Sequence, residues 1–325
     1  MIHSISISGV LTLNMHALNN EGAEGNTMMT RMVDVIDAEG SKHTVNAISG
    51  DMFKHIQAEH LQQEAVFAGL PLCNGCKIFN ANRICFDEDF TKYPEFTATT
   101  QDSVILGKAL KLCVIDDCEG ILITSDIGKK RSIARKSCIE FGWVLGRPGR
   151  VTTDSYFHAK YVPEGRSKGS GTAENLGQNI FHRPASSGQY AINVGIDLYR
   201  ISRNDITLEY ALAGGQTGKA RTARAVALLK SVLNTFVKPT GAHRNTQNPH
   251  IVNFEGVVTA STSAIPAPVV SALNGSYREE VERIAALLNR PDIGSNSVTA
   301  GKFDTLSEFT ETLGRFIGQL TAERA

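Results

Sequence analysis

Ile5, Ile7, Leu11, Leu13 and Met15 recur at alternate positions, opposite Ser4, Ser6, Ser8, Thr12 and Asn14. A period of two calls for a strand with one face to bury. Gly9 occupies the vacant apolar slot and leaves room for a bulge or a close backbone approach. The run Ala-Leu-Asn19-Asn20-Glu-Gly22-Ala-Glu-Gly25-Asn26 cannot continue a sheet. Extended chain returns at residues 45–48, and Ser49-Gly50-Asp51-Met52-Phe53-Lys54 then opens a helix. Ser49 is a good N-cap, and Met52, Phe53, Ile56 and Leu61 hold helical spacing towards Ala68. A Ser-Gly start exposes free N–H groups at the positive end of the helix dipole, a natural seat for a phosphate.

Charge is balanced in total but not along the chain. Lys+Arg and Asp+Glu number 33 each, so net charge alone points to no polyanion. Residues 210–254 nevertheless hold no acid, while carrying Lys219, Arg221, Arg224, Lys230, Lys238 and Arg244 with His243 and His250. Across 127–153 only Glu140 stands against Lys129, Lys130, Arg131, Arg135, Lys136, Arg147 and Arg150. Acids gather at 87–89, 116–119, 279–282 and 304–311. A neutral chain divided in this way can bind a polyanion on one face and offer acidic faces to neighbouring copies. Any one of these charges, taken singly, reads equally well as solvated surface. An apolar share of 42% suits a packed globular protein. No run approaches the roughly 20 apolar residues of a membrane span, and no charged-then-apolar signal segment opens the chain. A soluble cytoplasmic protein with no membrane contact is the expectation.

After the first helix, residues 69–120 read as an inserted irregular lobe, with Cys73-Asn-Gly-Cys76 near its start. Cys-x-x-Cys is the spacing of a tetrahedral zinc site, and Cys85, Cys113 and Cys118 are available as partners. A disulfide is disfavoured in a reducing compartment. Structural zinc and unligated buried cysteines both remain open. Residues 110–124 read as two strand halves around an acidic turn. The basic stretch 128–150, interleaved with Phe141 and Trp143, suits a phosphate backbone with stacked bases, or a helix with one apolar face. Cys138 within it reads as core.

A strand at 155–162, a Gly/Ser-rich arm containing Arg166 and Lys168, and a strand marked by Tyr190, Ile192, Val194 and Ile196 describe a hairpin. Gly214-Gly-Gln-Thr-Gly218-Lys219 is not a nucleotide-binding loop, because Ala213 and Ala220 replace its first glycine and its Ser/Thr. A helix through Val226, Leu229, Val232 and Phe236 ends in the donor-rich, acid-free loop 238–249, which suits a sugar-phosphate backbone. A strand follows at 251–260. Two amphipathic helices close the chain, one marked by Val281, Ile284 and Leu288, the other by Leu306, Phe309, Leu313 and Phe316.

Several of these stretches, in this order, resemble one family. They are the Asn/Gly loop before Ile48-Ser49-Gly50 and a Lys-bearing helix, Cys113-Val-Ile-Asp116-Asp117-Cys118-Glu119-Gly120, and Phe181-His182-Arg183-Pro-Ala-Ser186-Ser187-Gly188-Gln-Tyr190. The chain is similar to the DevR-type backbone subunits of type I CRISPR effector complexes (Cascade). Asp116 stands where such proteins often have a second cysteine of a pair. The resemblance implies an α+β fold over 1–325: an RRM-like, ferredoxin-like antiparallel sheet with a thumb hairpin at 155–192 and a helical or irregular lobe at 69–120. Neither aromatic RNP motif of an ordinary RRM is visible, so loops and thumb would bind the RNA.

The implied function is a non-enzymatic backbone subunit that polymerises along crRNA and presents the guide to target DNA. Its partners would be crRNA, target DNA through guide pairing, copies of itself and other Cascade subunits. Candidate RNA contacts are Asn19, Asn20, Asn26, Ser49, Gly50, Lys54, Lys129, Lys130, Arg131, Arg166, Lys168, His182, Arg183, Arg221, Arg224, His243, Arg244 and Asn245. Candidate zinc ligands are Cys73, Cys76, Cys85 and Cys113. Two alternatives stand beside this reading. One is an RNA-cleaving type III-like backbone subunit using Glu21, Glu24 or Asp51. The other is a free zinc-containing nucleic-acid-binding regulator.

Overall fold

The computed structural model describes residues 2–18, 20–25, 27–160, 179–212, 215–240, 244–294 and 296–322. The opening alternation is strand β1 (Ser4–His16), paired antiparallel on both sides. Chain order then runs β2 (Asn20–Glu24), β3 (Thr27–Thr30), β4 (Met32–Ile36), β5 (Lys42–Ile48) and helix α1 (Gly50–Phe67). The lobe follows as α2 (Asn74–Lys77), a 3-10 turn at Arg83–Phe86, α3 (Glu88–Thr91), α4 (Asp102–Leu112) and α5 (Val114–Glu119). After these come β6 (Ile121–Ile123), β7 (Ile133–Arg135), β8 (Ile139–Phe141), β9 (Val144–Lys160) and β10 (Asn179–Ile196). The chain finishes with α6 (Gly215–Val237), β11 (His250–Ser261), α7 (Tyr277–Leu288), β12 (Val298–Phe303) and α8 (Leu306–Ala322).

The main sheet has the order β12-β11-β1-β10-β9-β5-β4, with β2, β3 and β8 attached beside that path. It is antiparallel apart from one parallel contact, His182 beside Thr27. Helices α1 and α6 pack together over one face, where Gln57 Nε2 donates to Ser231 Oγ at 2.7 Å. Beneath them Ile5, Ile7, Leu11 and Leu13 meet Phe53, Phe236, Phe254, Phe303 and Phe309, all buried. Each such side chain contributes about 1.5–3 kcal/mol by leaving water. Gly9 is required here, because a Cβ would stand 2.7 Å from the Phe254 ring and 2.8 Å from Glu255 O.

The serine face of β1 is covered too. Ser6 Oγ donates to Ala267 O, while Ser4 Oγ and Ser8 Oγ accept from Ala267 N and Val270 N. Tyr277 and Val281 of α7 pack on the same face against Val10, Ala191 and Val257. Short hydroxyl side chains therefore satisfy the backbone of a covering segment rather than water.

Three sequence expectations are corrected. Met15 is exposed with φ +53°, because an irregularity after Leu13 turns His16 inward instead. Residues 110–124 are mostly α4 and α5, with strand only at Ile121–Ile123. The acids of α5 are buried: Asp117 takes Arg135 Nη2 at 2.8 Å, Arg224 Nη1 at 2.7 Å and the Ser202 amide. Stretch 128–150 is not helical; it forms β7, β8 and the start of β9. Among the described residues no helix is long and apolar enough to cross a membrane.

Candidate nucleic-acid interface and metal centre

Strands β9 and β10 pair from Ala191 and Leu145 out to Asn179 and Lys160, a span wider than the expected 155–192 hairpin. Strand β1 ends opposite Ser186, so the outer part of the hairpin runs past its sheet neighbour. That outer part carries exposed Tyr156 and Phe157. His158 stacks on Phe181 at 5.6 Å, and the Arg183 guanidinium lies over the same Phe181 ring, 4.7 Å from its centre. The root is fixed by a buried polar group: Tyr190 donates to Asn46 Oδ1 at 2.9 Å, and Thr153 and Ser186 share a hydrogen bond of 2.8 Å. His16 lies edge-on to Tyr190, and burial pushes its pKa down to about 4, which leaves it neutral at physiological pH.

Two other segments meet this root. His182 pairs with Thr27 of β3, which brings the Asn/Gly loop alongside. Arg183 Nη1 donates to Thr246 Oγ1 at 3.2 Å, and Gln247 Nε2 to Pro184 O at 3.0 Å, which docks the acid-free loop. Among the predicted contacts, His182, Arg183, Arg244 and Asn245 thus share one end of the sheet with the β2 backbone at Asn20. Asn19, Asn26, Arg166, Lys168 and His243 lie outside the described residues. The sequence reading missed Tyr156, Phe157, Thr246 and Gln247; the run of aromatics beside the Gly/Ser arm was the available signal for the first two.

Other predicted contacts go elsewhere. Arg224 is 1% exposed and belongs to the Asp117 cluster, where it also donates to Leu110 O. Arg131 is buried and donates to Ile127 O, Thr100 O and Thr97 O, with Asp102 as its ion partner. Both are corrected to core residues, because an arginine surrounded by carbonyls and a carboxylate can be buried even in an acid-poor stretch of sequence. Ser49 caps α1 through Met52 N, and Gly50 lies so close to the Phe141 carbonyl that a Cβ has no room. Arg221 sits over Tyr210 at 4.2 Å, beside Ile2 and Leu198, at the end of the sheet away from the hairpin. Lys129 and Lys130 are exposed on the β6–β7 connection, and Lys54 is half-buried on α1.

The lobe gathers a compact donor set. Cys73, Cys76, Cys113 and Asp116 are all buried, and their ligand atoms lie within 4.8 Å of one another. Cys73 Sγ stands 3.4 Å and Cys76 Sγ 3.8 Å from Asp116 Oδ2. Tetrahedral zinc with Zn–S bonds of about 2.3 Å needs neighbouring donors about 3.8 Å apart, so the spacing fits. Burial pushes the Asp116 carboxyl and the Cys113 thiol up, while hydrogen bonds from Cys113 and Cys76 pull Cys73 down to about 5. Asp116 Oδ1 has no hydrogen-bond partner. Three thiols and a carboxyl crowded out of water suit a divalent cation that would displace their protons. Cys85 is corrected: its Sγ faces Leu122 O at 3.9 Å, outside the group, and Asp116 takes the fourth place. Cys113-x-x-Asp116 repeats the spacing of Cys73-x-x-Cys76, a signal legible in the sequence.

The family described as CRISPR-associated negative auto-regulator DevR/Csa2 matches the chain over residues 7–282. No curated protein sequence matches it. Among solved structures it is similar to a chain of "CRISPR RNA-guided surveillance complex, pre-nicking", with TM-score 0.51, 11% identity and coverage of 98% of this chain and 100% of that one. It is also similar to a chain of another CRISPR RNA-guided surveillance complex, with TM-score 0.48, 12% identity and coverage of 97% and 99%. A third match is Thermofilum pendens Csc2, with TM-score 0.39, 14% identity and coverage of 99% and 88%. The first of these shows a shared fold at low identity.

Proposed function

Because the chain belongs to the DevR/Csa2 family of CRISPR-associated proteins, we propose that it is a crRNA-binding backbone subunit of a Cascade-type complex. Copies polymerise along one guide, contact other Cascade subunits, and leave guide bases free to pair with target DNA. The observation that carries this reading is the hairpin that outruns β1, with Phe157, His158, Phe181 and Arg183 on it and the acid-free loop docked at its root. Aromatic rings beside a basic groove suit single-stranded nucleic acid.

The core supports an RRM-like description. Strands β1, β9, β10 and β11 with helices α1 and α6 follow a β-α-β-β-α-β path, and the sheet order β11-β1-β10-β9 is that of the split βαβ fold. The face on which an ordinary RRM stacks bases is covered by residues 267–270 and α7, which leaves hairpin and loops for the RNA. The Cys73, Cys76, Cys113 and Asp116 group holds structural zinc in this reading. This reading assigns no catalytic role; Glu24 and Asp51, proposed for a cleaving subunit, are exposed.

The test is to purify the protein from cells that transcribe its CRISPR array and to size the nucleic acid it carries. RNA of one dominant length, covered by several copies of the chain, is the expected result. An RNA-free monomer that binds short duplex DNA with sequence preference would instead make it the regulator that the family description names. Target-RNA cleavage lost in Asp51→Ala would make it a cleaving subunit.

A further inference from the structure

A cavity of about 280 Å³ opens between α1 and the turn after α2, lined by Asp51, Lys54, His55, Phe79, Asn80 and Arg83 among others. Its lobe wall has an unusual backbone: Phe79 and Arg83 adopt φ values of +53° and +46°. Bulky residues keep left-handed backbone only where their surroundings fix it. Here Gly75 does so, because its carbonyl accepts from Asn80 N at 2.9 Å and its missing Cβ makes way for the Arg83 carbonyl. The knuckle between Cys73 and Cys76 therefore shapes this wall. The turn sets the Phe79 ring edge-on to His55 at 5.4 Å. Arg83 lines the same cavity, and its Nη1 donates to Gly120 O at 2.6 Å.

Lys54 makes no ion pair among the described residues. Neither Lys54 nor Arg83 forms an ion pair with the nearby carboxyl of Glu119, which is 3% exposed. Lys54 and Arg83 are the two cations acting on it. Two cations without an ion partner among the described residues have donors to spare for the cavity. Cations beside an aromatic ring, an imidazole and an amide suit a phosphate with a base attached. Asp51 on the rim repels a second phosphate.

We propose that this cavity receives one ribonucleotide unit, with its phosphate between Lys54 and Arg83 and its base against Phe79. The inference rests on the RNA-binding reading and adds a pocket that neither the hairpin nor the loop supplies. The same chemistry could arrive as a unit of bound RNA or as a free nucleotide, and the experiment separates the two.

Full-length protein is irradiated with single-stranded RNA containing 4-thiouridine, and in parallel the RNA-free protein is mixed with AMP and followed by hydrogen exchange. Wild type, Lys54→Gln and Phe79→Gly are compared, with melting temperature as control; glycine accepts the left-handed backbone at 79, so that variant keeps the fold. We expect thiouridine to crosslink to residues 79–83, with a yield about tenfold lower in both variants. Protection of 79–83 by AMP without a crosslink would assign a free nucleotide. A folded protein that carries RNA yet shows neither signal overturns the pocket and leaves the backbone role standing. Protection by AMP in a protein that binds no RNA does the reverse.

Discussion

Glu119 ends α5 with its carboxyl buried beside Gln57. Burial pushes its pKa from 4.5 up to about 7, against the pull of Lys54 and Arg83. Between those values the folded state keeps a proton that the unfolded chain has released. Stability therefore falls as pH rises from the lower value to the higher, then levels off. The full span corresponds to about 3 kcal/mol at about 1.4 kcal/mol per pH unit. Glu119→Gln removes this group from the titration. Chemical denaturation at about pH 5 and about pH 8 should show wild type losing up to about 3 kcal/mol more than the variant over that interval. Equal losses in the two proteins would mean that Glu119 is ionised in the fold.

At the scale of elements, α2, α3 and α5 are each too short to hold themselves and rest on buried apolar side chains such as Ile84, Phe90, Leu106 and Ile115. If the donor group of the lobe holds zinc, elemental analysis of EDTA-washed protein finds about one zinc ion per chain. Cys73→Ser and Asp116→Ala should lose the metal and lower the melting temperature together, whereas Cys85→Ser leaves both unchanged. Zinc retained in Asp116→Ala would restore a cysteine-only site. Helices α1, α7 and α8 were legible because each has one wet and one dry face, and β1 was legible from its alternation although both its faces are buried. Helix α5 was not among them, because its acids are buried by Arg135, Arg224 and Ser202, which follow 18, 107 and 85 residues after Asp117. The β7 and β8 strands were missed because short strands in a basic stretch show no alternation that favours strand over helix. The cysteine knuckle was legible from spacing, but the fourth member of the donor group was sought among sulfurs, and the group has the Asp116 carboxylate in that place.

Across the whole molecule, basic residues that look alike in the sequence divide into two populations. Arg224 and Arg131 neutralise buried or lobe carboxylates, while Arg183 belongs to the hairpin root and Arg244 to the acid-free loop docked on it. The two populations should separate in a salt titration. A protein that neutralises phosphates loses affinity linearly in the logarithm of salt, and each lost phosphate contact lowers that slope by roughly one unit. Arg183→Ala and Arg244→Ala should each flatten the slope by about that amount, whatever the RNA sequence, and shift stability by no more than about 0.5 kcal/mol. Arg224→Ala should do the opposite, because it leaves Asp117 short of one of its two buried cations; a loss of about 3–5 kcal/mol is expected. RNA affinity at several salt concentrations, with urea denaturation of each variant, reads both quantities. If Arg183→Ala and Arg244→Ala keep the wild-type slope at wild-type stability, the RNA does not cross this end of the sheet, and the exposed lysines Lys129 and Lys130 of the β6–β7 connection become the surface to test.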